Sequence, residues 1–274
     1  MKIQYYSDDI TVFESALYRT TSTLLRLNQE LLLVDPNWLP GEIHFIKKYI
    51  RENFPNHKLN ILFTHSDYDH IIGYGAFPEA KTIGSLEFAQ STKKSTILNQ
   101  ISDFDNTYYI VRDYLIDYPR LDNIISLDGQ ILRVGDEDVH FFMAPGHTND
   151  GIFAIIPKLN VWIAGDYLSN IEIPMVDDNF LDYASTLIKM SHIYIMFPTV
   201  KIVIPGHGDI AESKEEVLRR IQNDTIYVSY FHKFYGKSDL TDNEHFSEII
   251  KMYGSNPQLK EIHKANVKKW LSTT

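Results

Sequence analysis

The chain has 274 residues, of which 44% are hydrophobic and 23% are charged, a balance typical of a globular protein with a full core. It contains no cysteine, which excludes disulfides, thiolate metal sites and a cysteine nucleophile. The formal net charge of −10 disfavours nucleic-acid binding, because phosphate contacts demand a basic surface.

No apolar run reaches the roughly 18 residues needed to span a bilayer. The N-terminal segment MKIQYYSDDITVFES carries acids where a signal peptide would have an apolar core. We therefore expect a cytoplasmic location without membrane contact. The partner that we expect is a small-molecule substrate, with a homodimer as an alternative to a monomer.

Short apolar runs that end in turn residues predict buried strands. They cover residues 31–34, 60–63, 139–144, 161–164 and 201–204. Between them, apolar residues at helical spacing predict a helix over 41–53, and the proline-free segment 85–118 accommodates one or two helices. From about residue 212 the pattern is helical to the end, with breaks near Gly236 and 254–257.

The predicted strands fall into two clusters, roughly 3–84 and 124–208. This grouping predicts an α/β protein with two packed sheets and helices outside them. We expect one domain over 1–274, with a core of about 1–210 and a helical annex of about 211–274.

Histidine and aspartate residues follow four of the predicted strands. They are His65, Asp67, Asp69, His70, His147, Asp166 and His207. Neutral imidazole and carboxylate are good ligands for zinc and non-haem iron. Because alternate residues of an extended segment point the same way, we expect His65, Asp67 and Asp69 to share a face.

Each motif alone also has an ordinary structural interpretation. Asp67 or Asp69 would be suitable as the cap of a following helix, and a single Pro-Gly-His is a common turn with an incidental histidine. The complete set, with each member at a strand end, favours a metal site instead.

The spaced set resembles the first motif HxHxDH and the later His, Asp and His of the metallo-β-lactamase-fold superfamily. In this sequence the motifs read HSDYDH, APGHT, IAGD and IPGHGD, and Val34-Asp35-Pro36 is similar to the family's early strand-turn. The resemblance implies a four-layer αββα sandwich with a dinuclear metal site at one edge. It also implies hydrolysis in most members and diiron redox chemistry in a minority.

The resemblance further implies a role for each position. Metal one would be bound by His65, His147 and Asp67, the last standing where the family usually has histidine. Metal two would be bound by Asp69, His70 and His207, and Asp166 would bridge the pair. Two such metals hold a hydroxide between them, which is the nucleophile.

The departure at Asp67 gives the predicted ligand set a third carboxylate beside Asp69 and Asp166. An extra anionic oxygen favours iron or manganese over zinc. The alternative is that Asp67 accepts a hydrogen bond from a ligand histidine.

Our catalytic candidates are Asp69 and Tyr167. Either Tyr68 or Tyr167 would be suitable as a proton donor to a leaving group, and packing is the alternative for both. We predict that residues 173–175 form part of a pocket rim. The aromatic stripe of Tyr227, Tyr230, Phe231, Phe234 and Tyr235 is more typical of a packed helix than of a pocket wall.

Together these features predict a hydrolase of an ester, thioester, lactone or phosphodiester that uses two divalent metal ions. The alternative is a diiron oxidoreductase without a flavin domain, an interpretation that depends on Asp67.

Overall fold

The computed structural model describes residues 1–233, 244–254 and 256–273. Its first sheet has seven strands in chain order. They are β1 (Lys2–Tyr6), β2 (Ile10–Glu14), β3 (Thr21–Leu27), β4 (Glu30–Val34), β5 (Lys58–Leu62), β6 (Lys81–Ser85) and β7 (Asn123–Ile125). Strands β1 to β4 pair antiparallel and β4 to β7 pair parallel.

The second sheet has five strands in the order β12-β11-β10-β9-β8. They are β8 (Gln130–Val134), β9 (Glu137–Met143), β10 (Ile152–Ile156), β11 (Val161–Gly165) and β12 (Ile202–Pro205). Only the β11–β12 pair is parallel. Consequently β9, β11 and β12 run in the same direction and end at the same edge of the sheet.

Helices cover the outer face of each sheet. The described helices are α1 (Pro40–Asn53), α2 (Tyr68–Ile71), α3 (Leu86–Gln90), α4 (Lys94–Thr107), α5 (Phe180–Met196), α6 (Lys214–Lys233), α7 (Glu244–Ile250) and α8 (Gln258–Thr273). Helix α1 begins with proline, whose fixed backbone angle suits the first helical position. Helix α5 begins where the side chain of Asn179 accepts hydrogen bonds from two main-chain N–H groups.

Three buried apolar clusters separate the four layers. The central cluster joins residues of both sheets, including Val12, Leu32 and Ile163. A second lies between the first sheet and α1, and a third lies between the second sheet and helices α5 to α8. The predicted αββα sandwich is therefore confirmed. None of the described helices has the length and apolarity to cross a membrane.

The strand grouping differs from the sequence prediction at one point. Strand β7 belongs to the first sheet, where it pairs with β6, although its position in the chain groups it with the later strands. Segment 85–118 contains two helices, as the absence of proline allowed, and is irregular after Thr107. Nothing in the local pattern distinguishes a strand that extends one sheet from a strand that begins the next.

The aromatic stripe of α6 packs in the third cluster. Tyr227, Tyr230 and Phe231 are buried there against residues of α5 and α8. Phe234, Tyr235 and the expected break at Gly236 lie outside the described residues. The described part of the stripe thus belongs to the core, as its helical spacing indicated.

Candidate metal centre

The seven predicted ligand residues meet at one edge of the sandwich. Four lie between the end of β5 and the end of α2, and these are His65, Asp67, Asp69 and His70. The other three follow β9, β11 and β12 of the second sheet, and these are His147, Asp166 and His207. The carboxyl ends of parallel strands are where open α/β folds place their binding sites.

The segment after β5 corrects one expectation from the sequence. Asp69 does not share an extended face with His65 and Asp67, because residues Tyr68–Ile71 form a helical turn that begins directly after Asp67. The predicted residues form two groups of neighbouring ligand atoms. One group is His65, Asp67, His147 and Asp166, and the other is Asp69, His70 and His207; His65 and His70 also form a set with Asp35.

Asp166 lies at the centre of both groups. Its Oδ1 is 3.1 Å from His70 Nε2, and its Oδ2 is 3.2 Å from His207 Nε2 and 3.4 Å from His147 Nε2. Its Oδ2 also lies 3.6 Å from His65 Nε2. A carboxylate that faces all four imidazoles occupies the position that a bridging ligand requires.

Asp67 faces the first group. Its Oδ2 is 3.2 Å from His147 Nε2 and 3.7 Å from His65 Nε2. Although Asp67 precedes α2, its side chain makes no capping hydrogen bond. Burial alone would raise its pKa, but the two imidazoles outweigh burial and hold the pKa at about 2. The capping interpretation is therefore excluded, and ligation of a metal by Asp67 stays a prediction.

Two of the histidines are oriented by main-chain carbonyl groups. His147 Nδ1 lies 2.8 Å from the carbonyl oxygen of Met175, and His207 Nδ1 lies 3.1 Å from that of Tyr18. A carbonyl oxygen only accepts, so each Nδ1 carries the proton and donates it. When these rings are neutral, as a metal ligand must be, Nε2 therefore carries the lone pair, and it faces the cluster.

The other two histidines are oriented through Asp35. His70 Nδ1 donates to Asp35 Oδ2 at 2.9 Å. Thr64 Oγ1 donates to the same oxygen at 2.5 Å, so it accepts from His65 Nδ1 at 2.9 Å. This carboxylate therefore fixes the tautomer of both rings, as hydrogen-bonded partners of metal-binding histidines commonly do.

The cluster fits divalent metal ions. Buried polar atoms normally have a partner, yet the Nε2 atoms of His65, His70 and His147 and Oδ1 of Asp166 are buried without a hydrogen-bond partner. These are the lone pairs that the orienting contacts leave free. Imidazole and carboxylate donors in this arrangement suit zinc, iron or manganese.

The cluster's charges interact strongly in the protein without metal. Burial alone would lower the pKa of His207, but the carboxylates of Asp166 and Glu172 outweigh it and raise the pKa to about 10. A metal ion needs the neutral imidazole. Metal binding therefore releases protons from this cluster.

The structure does not bring Tyr167 to the cluster's open side, and this corrects its assignment as a catalytic candidate. Its side chain is 2% exposed and packs against Phe153 and Tyr183. Its hydroxyl donates to the carbonyl oxygen of Pro145 at 2.7 Å and accepts from the N–H of His147 at 3.1 Å. Tyr167 thus positions the loop that carries His147.

A cavity of about 300 Å³ opens above the cluster. The contacting rings of Tyr18, Trp38 and Tyr68 form one wall, and residues 172–175 also belong to the lining. The predicted rim at 173–175 therefore lines the cavity. Tyr68 lies beside Asp69 in this wall, and burial raises its pKa above the ordinary value.

Sequence reasoning missed the residues that orient the ligands. Asp35 follows β4, which pairs parallel with β5, so its place at the same sheet edge as His65 was the available signal. No local signal identifies Thr20, which accepts from Trp38 Nε1 at 2.7 Å and lies 3.2 Å from His207 Nδ1. This contact depends on the packing of the β2–β3 hairpin against the second sheet.

Residues 17–232 match the family model of the metallo-beta-lactamase superfamily. The chain belongs to this superfamily. Solved structures agree in fold. A metallo-beta-lactamase family protein from Thermus thermophilus shares 16% identity at a TM-score of 0.64, covering 96% of this chain and 94% of its own.

Two further structures of the superfamily are similar to this chain. The BLEG-1 B3 metallo-beta-lactamase shares 18% identity at a TM-score of 0.58, covering 74% of this chain and 93% of its own. A metallo-beta-lactamase from Pontibacter korlensis shares 14% identity at a TM-score of 0.55, covering 81% of this chain and 99% of its own. At these identities the likeness supports the fold alone.

Proposed function

We propose that this superfamily member is a hydrolase that uses two divalent metal ions to cleave an ester, thioester, lactone or phosphodiester. The observation that carries the proposal is the division of the ligand atoms into two groups around Asp166. Each group offers imidazole Nε2 atoms and at least one carboxylate. That is the donor set for two neighbouring metal ions.

His65, Asp67 and His147 would hold the first ion, Asp69, His70 and His207 the second, and Asp166 would bridge them. A pair of divalent ions supplies a hydroxide nucleophile at neutral pH and polarises the oxygen of the scissile group. The chain's own contribution is to keep these donors oriented through Asp35, Tyr18 and Met175.

The cavity residues determine how a substrate reaches this centre. Trp38 and Tyr68 offer an apolar wall above the ligand Asp69. The Tyr68 hydroxyl is protonated at neutral pH, as a phenol ordinarily is, and burial raises its pKa further. It is therefore suitable as a hydrogen-bond donor to the substrate, a role that the sequence left open between Tyr68 and Tyr167.

A diiron oxidoreductase is the second candidate, and the position of Asp67 favours it. The Asp67 carboxylate beside His65 and His147 adds an anionic oxygen to the first group, and such a donor favours iron over zinc. Redox chemistry also needs an electron donor, and the hydrolase proposal does not.

The test is metal analysis and optical spectroscopy of protein purified without added metal, followed by a panel of chromogenic esters, lactones, thioesters and phosphodiesters. Hydrolysis that Asp166→Ala abolishes would support the proposal. Two irons with oxygen-sensitive absorption and no hydrolysis of any panel member would favour the oxidoreductase and contradict the hydrolase proposal.

A further inference from the structure

Glu172 lines the cavity above the metal centre without belonging to either ligand group. The loop that carries it is fixed at two points. The N–H of Glu172 donates to Ser169 Oγ at 3.1 Å. Farther along, Asn266 of α8 donates to the carbonyl oxygen of Pro174 at 2.6 Å and accepts from the N–H of Val176 at 2.9 Å. The backbone that places Glu172 in the cavity lining is thus anchored.

No ion pair or hydrogen bond to the Glu172 carboxylate is found within residues 1–233, 244–254 and 256–273. Burial raises its pKa; the His207 imidazole opposes this effect, and the Asp166 carboxylate adds to it. Glu172 is half-buried, so its carboxylate keeps part of its contact with water, but an ionised group that is partly removed from water without a partner is still unfavourable. A positively charged ligand group beside Glu172 would offset that cost.

The other acidic residues of the cavity outside the ligand groups already have partners. Glu261, at the mouth, forms an ion pair with Lys264 at 2.8 Å. Asp224 accepts a hydrogen bond from the Tyr253 hydroxyl at 2.8 Å. This difference singles out Glu172 as the acid that remains for a ligand.

The described lining of the cavity offers a negatively charged substituent neutral hydrogen-bond donors but no permanent cationic side chain. Among the part of the chain that the structure describes, no lysine or arginine lines it. Sites that recognise phosphate or carboxylate groups typically supply arginine or lysine for this purpose. An anionic group placed away from the scissile bond would instead meet Glu172.

Part of the lining of the same cavity is aromatic. The ring centroids of Tyr18 and Trp38 are 5.8 Å apart, and those of Trp38 and Tyr68 are 5.3 Å apart. Aromatic faces attract organic cations as well as apolar groups. Aromatic rings and an unpaired carboxylate in the lining of one cavity are the combination that binds an ammonium group with an apolar body.

We infer that Glu172 is a specificity-determining residue which binds a cationic group of the substrate. The preferred substrate is accordingly an ester, thioester or lactone with an ammonium group and an apolar portion, not a phosphodiester or another anion. The claim that the bound cation is a substrate rests on the proposed hydrolase function. The preference of the cavity for a cation can be measured by binding alone.

The binding test uses phenyltrimethylammonium and benzenesulfonate, two probes of similar size and opposite charge, titrated calorimetrically into metal-loaded protein. We expect the cation to bind at least about tenfold more tightly than the anion. Glu172→Gln should remove most of this preference, and Glu172→Lys should reverse it. Equal binding of the two probes, or a preference unchanged in both variants, would overturn the inference.

The matched control is Glu212→Lys, which makes the same charge change at an exposed residue that does not line the cavity. It should leave the probe preference unchanged. Metal content and thermal midpoint are measured for every variant. If Glu172→Gln loses metal, Glu172 is a ligand and not a specificity residue, and the inference is wrong.

Turnover separates this inference from the proposed function. Matched 4-nitrophenyl esters with a trimethylammonio, a methyl or a carboxylate terminus are compared by kcat/KM. A preference in kcat/KM for the cationic ester that depends on Glu172 supports both the hydrolase function and the role of Glu172. Probe binding that depends on Glu172 without hydrolysis of any ester leaves the charge preference standing and removes the hydrolase. Hydrolysis of all three esters with an equal loss in Glu172→Gln makes Glu172 a proton donor and overturns the inference.

Discussion

Asp35 Oδ2 accepts a hydrogen bond from His70 Nδ1 at 2.9 Å, on the side of the ring opposite the metal cluster. The same oxygen accepts from Thr64 Oγ1, which in turn accepts from His65 Nδ1. One buried carboxylate thus fixes the orientation of two imidazole rings, and each ring belongs to a different ligand group.

Replacing this carboxylate should weaken metal binding without removing a ligand. Asp35→Asn keeps the shape but loses the charge, and we expect a loss of about 10- to 100-fold in metal affinity. The measurement is a competition titration with a chromogenic chelator. Asp113→Asn is the control, because Asp113 also contacts a histidine, His44 at 2.9 Å, but on the exposed surface. Equal affinities in wild type and Asp35→Asn would refute this role.

Asp166 should be needed by both metal ions. Its carboxylate faces all four imidazoles, whereas His207 belongs to one ligand group only. Asp166→Ala should therefore lose more metal per chain than His207→Ala when both are measured by mass spectrometry after dialysis. A metal content in Asp166→Ala equal to that of wild type would show that Asp166 does not bridge.

Asp67 should bias the metal preference. Its Oδ2 faces both His65 and His147, so a metal bound there would gain an anionic oxygen that favours iron or manganese over zinc. Asp67→His should shift uptake toward zinc after growth in equal concentrations of the three metals. The same metal ratio in both proteins would contradict the charge argument.

Gly206 should be indispensable for the site. A Cβ built at this position would lie 2.0 Å from Asp166 Oδ1 and 3.0 Å from His70 Cε1. Gly206→Ala should therefore displace the bridging carboxylate and reduce metal content, with a cost of about 1–3 kcal/mol in the free energy of unfolding. Gly41→Ala is the control, because a Cβ there meets nothing within 4 Å. Normal metal content in Gly206→Ala would mean that the backbone relaxes.

Asp224 should make the protein less stable as pH rises. Burial raises its pKa from 3.8 to about 7, although the Tyr253 hydroxyl partly opposes this. Between these two values the unfolded chain has lost the proton and the folded chain keeps it, so folding stability falls across that range and the loss is complete above pH 7. The total is on the order of 4 kcal/mol.

Asp224→Asn removes this titration, so the variant should lose less stability than wild type between pH 5 and pH 8 in urea unfolding. Asp103→Asn, at an exposed position of α4, should follow wild type. Parallel pH profiles for wild type and Asp224→Asn would show that Asp224 does not titrate in this range.

The ligand positions were predictable because strand ends carry a strong local signature. His147 and His207 each follow a short apolar run and a Pro-Gly pair, and the structure places both at the same edge. The helical turn at Tyr68–Ile71 was harder to predict. Its four residues are too few for a periodic pattern, so alternation assigned Asp69 to the wrong face.

Contacts between distant segments had no such signature. The carbonyl oxygens of Tyr18 and Met175 orient two ligands, yet a carbonyl group is present in every residue, and only the folded chain selects these two. Glu172 likewise has no motif, and its importance follows from the cavity and the absence of a described partner. Tyr167 shows that proximity in sequence does not imply a shared site. It directly follows Asp166, yet its hydroxyl does not lie in the candidate metal centre.

The two ligand groups share one further property, which follows from the strands that carry them. His65 and His70 extend from the first sheet, while His147, Asp166 and His207 extend from the second. Each bound ion would therefore fasten the two halves of the sandwich together at their open edge. Because such an ion takes ligands from both halves, it binds the docked chain more tightly than either half and stabilises the assembled sandwich. Removing the metal would then weaken the attachment of one sheet to the other.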